Sequence, residues 1–275
     1  MALLSGIEMY PRNVEQALES LAKVTERLRA RGDARAVFPD VYAIITRNVA
    51  REIQERTGFF QEPEWISRLA GRFAERYLET LAWSEWGGAQ DCRAWELAYA
   101  FESGGLTFPL QDAAFGISAH INFDLALGLW KTIEEFGDRS EAQMARYKHD
   151  HDAVNELLAS SLTQVVALLN ERYGCLVTKR CTGPLMPMTG RVVLEMLRRW
   201  REQVWKDVHS LVFAPSARAQ HEVLKQMHQR SGRWAEFIAL GSMAGSAWRA
   251  LSGRVPSAPA ASSGRRLRSL EPLAA

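Results

Sequence analysis

Apolar residues recur every three or four positions along nearly the whole chain, and no stretch alternates apolar and polar residues for long. That period is the mark of amphipathic helices and argues against a sheet. Over residues 14–28 the apolar positions are Val14, Leu18, Leu21, Val24 and Leu28, one face of a helix. Further helices are predicted over 38–56, 63–82 and 91–102, followed by two longer ones over 110–136 and 140–173. Three more are predicted over 190–213, 217–232 and 234–251. Breaks fall at Gly58, Gly87-Gly88, Gly104-Gly105, Gly137-Asp138 and Gly174, where glycine punctuates helical patterns.

The longest irregular connection is 174–190, GCLVTKRCTGPLMPMTG, which is the best place for an internal boundary. From Val255 onward the chain is rich in Pro, Ser, Ala and Arg and poor in large apolar residues. Such a segment buries too little surface to offset its chain entropy. The expectation is therefore an all-α fold: one multi-helix, bundle-like domain over 1–252 with two long central helices, then a disordered tail over 253–275. The segment 237–251 holds Gly241 and Gly245 in a G-x-x-x-G pair, yet its apolar run is about 12 residues before Arg249. A span needs roughly 20. No transmembrane helix is expected; a weak peripheral membrane contact is the most this segment offers.

Composition narrows the class. The 275 residues include 19 Gly and 10 Pro, with 47% hydrophobic and 24% charged, which excludes collagen-like and wholly disordered chains. The net charge of +2 hides an asymmetry: residues 191–275 carry 14 Lys/Arg against six Asp/Glu. With no RNA-binding signature or zinc-finger spacing, this reads as a solvated face plus a basic tail, and no nucleic-acid partner is expected. The opening residues lack a basic n-region, so the expected location is the cytoplasm, with Cys92, Cys175 and Cys181 reduced.

Several reaction classes lose their usual signal. No G-x-x-x-x-G-K-[ST] or G-x-G-x-x-G motif occurs, nor a G-x-S-x-G elbow, H-E-x-x-H or E-x-x-H. No nucleotide, haem or flavin signature is present, which leaves the cofactor unknown, with a divalent metal as one option.

What remains is a set of ionisable residues within apolar stripes. In the segment 109–130, His120 and Asp124 are four apart and share a helix face with Ala113, Ile117 and Leu127. Asn122 lies about 200° round a straight helix from His120, so aiming all three at one point requires a bulge. The His-x3-Asp spacing suits two metal ligands, and equally suits a carboxylate that holds one imidazole tautomer. A buried His–Asp hydrogen bond that merely joins helices fits the spacing as well. In the next helix, Asp150 falls on the apolar side with Val154 and Leu157, where a carboxylate is costly unless paired. That makes Asp150 a candidate partner of His120 or a ligand. Asn155 is a further candidate, whereas His149, His151 and Asp152 are expected in solvent.

These residues carry a resemblance. The string Ala119-His120-Ile121-Asn122-x-Asp124-Leu125, followed by Asp150-x3-Val154-Asn155-x2-Leu158, resembles the helical proteins of domain-of-unknown-function family 5995. Phe38-x3-Tyr42-x3-Thr46, Phe73, Tyr77, Trp95, Phe101 and Arg201-x3-Trp205 are similar to further positions of that family. The resemblance covers about 38–212; Ser118 and Ala126 depart from it, standing where an Asn and a Pro are usual. It implies an all-helical fold and a signature of His120, Asn122, Asp124, Asp150 and Asn155, and it implies no reaction.

The functional expectation is a small-molecule enzyme of hydrolase, lyase or cyclase type. His120, Asp124 and Asp150 would be catalytic, Asn122 and Asn155 ligand-binding, and His120 with Asp124 the pair available to a metal. Nine Trp, 11 Phe and eight Met favour an apolar or lipid-like substrate. The alternative is a non-catalytic ligand-binding or scaffold protein whose polar cluster fixes helix register.

Overall fold

The computed structural model describes residues 2–174, apart from 57, 89, 91 and 104–106, and residues 186–251. These residues form helices and no strands. Helix α1 is Val14–Ala30, α2 Val37–Glu55, α3 Pro63–Trp86, α4 Arg93–Ser103 and α5 Pro109–Ala119. After it come α6, Leu125–Phe136; α7, Glu141–Glu171; α8, Met186–Val212; and α9, Ala217–Leu251. A 3-10 turn over Ala34–Ala36 leads into α2. The predicted boundaries hold to within a few residues, with two differences. The helix expected over 110–136 is interrupted by a π-turn at His120–Asp124, and the pair expected over 217–251 is one continuous helix. The 174–190 connection lies largely, and the 253–275 tail wholly, outside the described residues.

Local chemistry explains where the elements start and stop. The Asn13 side chain accepts the Gln16 N–H at 2.9 Å to cap α1, and Ser140 accepts that of Gln143 to cap α7. Pro63 and Pro109 occupy the first turns of α3 and α5, where no N–H is needed. Gly87 and Gly137 end α3 and α6 at φ of 71° and 81°, conformations that cost other residues strain. Apolar stripes of all the helices meet in one core, in which Trp65 stacks on Tyr147 at 4.5 Å. Helix α2 packs on α1, α5 and α7, while α6 is held between α3 and α8. No helix among the described residues is long and apolar enough to cross a membrane.

Candidate active site

His120 opens the π-turn at the end of α5 and is buried. Its Nδ1 lies 2.9 Å from Asp124 Oδ2, which also accepts the indole N–H of Trp95 at 2.8 Å. The guanidinium of Arg76 stands 3.8 Å from the other carboxylate oxygen. A carboxylate accepts only, so the hydrogen of the neutral ring sits on Nδ1 and Nε2 keeps its lone pair. That Nε2 is buried and has no hydrogen-bond partner among the described residues. Burial lowers the imidazole's pKa below its ordinary value against the opposing pull of Asp124, which leaves the ring a neutral base at pH 7.

Aromatic side chains from three other helices enclose the ring. Phe73 lies flat on it, with centroids 3.4 Å apart and planes at 8°; Tyr42 and Phe38 meet it edge-on at 4.7 and 5.4 Å. Tyr77 and Trp95 complete the surround, each at 6.3 Å. Five aromatics scattered along the sequence, Phe38, Tyr42, Phe73, Tyr77 and Trp95, therefore converge on one imidazole, whereas Phe101 packs on Phe115 and Trp205 meets His151. Burial and the nearby Asp124 charge push the Tyr42 phenol well up, so it stays protonated.

The ring borders a cavity of about 590 Å³ between α2, α3, α5, α7, α8 and α9. Its walls are the apolar stripes of those helices, such as Val41, Ile45 and Val49 of α2 or Val154, Leu158 and Leu162 of α7. Polarity enters at only a few points: His120, Tyr42, Thr46, His151 and Arg201. Few polar groups in an apolar cavity of this size is the usual make-up of a small-molecule site.

The remaining predicted residues divide. Asn122 is buried beside His120 in the chain, but its Nδ2 donates to the Ser118 carbonyl at 3.0 Å, and it does not border the cavity. The bulge that three-way convergence requires is present, yet it leaves Asn122 facing away. Asp150 is not the partner of His120. Its fully buried carboxylate accepts the backbone N–H groups of Gln61 and Glu62, at 2.8 and 2.6 Å, and so ties α7 to the segment that enters α3. Asn155 accepts from Arg201 Nε at 2.9 Å.

As a joint metal site the pair His120 and Asp124 does not fit, because the two side chains hydrogen-bond to each other instead of converging on an ion. Among the described residues no group of three His, Cys, Asp or Glu side chains is placed to hold one.

His151, expected in solvent, is buried at 1% exposure. Its ring forms a second pair of the same kind: Nδ1 lies 3.2 Å from Asp152 Oδ1, and Nε2 is buried without a partner among the described residues. Burial and the adjacent Arg201 charge lower its pKa to about 3. The available signal was spacing, since His151 stands three and seven residues before Val154 and Leu158 on the cavity stripe.

A family model matches residues 14–240, most of the chain. The protein belongs to DUF5995, a family of unknown function. No curated protein and no solved structure matches the chain. Membership in DUF5995 thus supplies the fold's kinship and no chemistry, and the site has to be read from its own geometry.

Proposed function

We propose that this protein takes an apolar small molecule into the cavity between α2, α5, α7 and α8, and that His120 acts on it as a general base. One observation carries the reading: His120, a neutral imidazole whose buried Nε2 has no hydrogen-bond partner among the described residues, is one of the few polar residues that border a largely apolar cavity. Asp124 fixes the tautomer and would stabilise the imidazolium formed when Nε2 takes a proton. Trp95 and Arg76 hold that carboxylate in turn. A base whose pKa lies below 6.5 is already deprotonated at neutral pH, so the rate should hold level down to acid pH before it falls.

The test uses Nile red, a neutral apolar dye, and p-nitrophenyl esters of increasing acyl length. The wild type is expected to bind the dye, and Ala113→Trp, which fills the cavity, to abolish binding. Ester turnover is expected to rise with acyl length and to fall about 100-fold or more in His120→Gln, with dye binding retained. No dye binding by the folded wild type rejects the cavity. Dye binding with equal turnover in both proteins rejects the base and leaves a carrier.

A further inference from the structure

Arg201 of α8 borders the same cavity and is only 5% exposed. Its Nε donates to Asn155 Oδ1 at 2.9 Å, and its Nη2 donates to the His151 carbonyl. Both acceptors are neutral, and Nη1 makes no hydrogen bond among the described residues. The nearby carboxylate of Asp152 is engaged elsewhere, by Lys148 at 2.6 Å and by His151. Other enclosed arginines of this chain are paired: Arg35 with Asp33 and Glu85, Arg230 with Asp207. Arg201 forms no ion pair among the described residues, and burial lowers its pKa only to about 10, so it remains a cation. A buried charge with no carboxylate in contact is expensive, and a ligand of opposite charge that meets it directly lowers that cost.

We infer that the occupant is an amphiphilic monoanion, a long-chain carboxylate, whose carboxylate pairs with Arg201 while its hydrocarbon chain lies along the apolar walls. This rests on the cavity reading above and adds the charge and class of the ligand. One guanidinium matches one negative charge. A phosphate monoester would bring nearly two, and the histidines that border the cavity are neutral. Phe237 and Val193 also border the cavity while remaining 67% and 40% exposed, an apolar edge at which such a chain can enter.

The experiment compares tetradecanoate, 1-tetradecanol and tetradecyl phosphate as displacers of Nile red from the full-length protein at pH 8. Tetradecanoate is expected to bind about tenfold or more tighter than the alcohol. Arg201→Gln should bring that ratio to about one while keeping alcohol binding, which also shows that the variant is folded. Arg201→Lys should retain part of the preference. Equal affinity of the wild type for acid and alcohol overturns the inference while sparing the cavity. So does a preference that survives Arg201→Gln, or tighter binding of the phosphate. If Arg201→Gln does not fold, loss of the preference in folded Arg201→Lys overturns it and retention supports it. If the wild type binds neither dye nor amphiphile, the cavity reading falls as well.

Discussion

At the scale of single residues, two buried side chains of α7 illustrate how one helix can serve structure and site together. Asp150 holds the two residues that lead into α3, accepting the N–H groups of Gln61 and Glu62 just before its first residue, Pro63. Asp150→Ala is expected to destabilise the fold by about 1–3 kcal/mol in denaturant unfolding, and to leave Nile red binding by the folded protein unchanged. His151 gives a pH signature. Its folded pKa of about 3 lies below that of the unfolded chain, so its contribution is present above pH 6.5 and lost as pH falls toward 3. The full shift corresponds to about 4–5 kcal/mol. His151→Gln should accordingly flatten the slope of stability against pH between 6.5 and 3. The sequence allowed the inward face of Asp150 to be read, because Val154 and Leu157 share it. Its partners could not be read, because the backbone N–H groups of Gln61 and Glu62 leave no trace in residue identity. His151 was concealed by its neighbours: in the polar run from His149 to Asp152 only tertiary packing decides which side chains turn inward, and here Asp150 and His151 do.

At the scale of elements, the decisive contact is the approach of α5 to α2. A Cβ built on Gly116 would lie 2.2 Å from Cγ of Phe38, the inflexible base of that ring. Gly116→Ala therefore has to push Phe38, and α2 with it, away from α5. The expected cost is about 1–3 kcal/mol. Because Phe38 touches both His120 and the cavity, dye affinity should fall with it, unlike in Asp150→Ala. Helix limits were largely legible, since caps such as Asn13 and stops such as Gly137 act through local chemistry. The π-turn was not: the helical period of 110–136 continues through it, with His120 and Asp124 on the stripe, and an extra residue per turn is settled by what packs on either side.

For the molecule as a whole, ligand and fold are linked. An occupant that binds only the native state raises its stability by RT ln(1 + [L]/Kd), about 2.7 kcal/mol at a hundredfold excess over Kd. Thermal unfolding of the wild type should thus shift upward with tetradecanoate, and that of Ala113→Trp should not. The all-helical architecture was readable from periodicity alone, whereas the cavity was not, because a helix stripe that lines a space repeats as one that fills a core does. The π-turn has one more consequence, in the phase of the chain. The turn holds one residue more than an α-turn, so removing one residue between 120 and 124 would close it to an α-turn and leave α6 facing α3 and α8, with Leu129 and Ile133 still buried. The same deletion within α6 would rotate everything after it by about 100° and draw it back by about 1.5 Å. The π-turn is slack in the chain, a place where a residue can be lost without changing which sides meet.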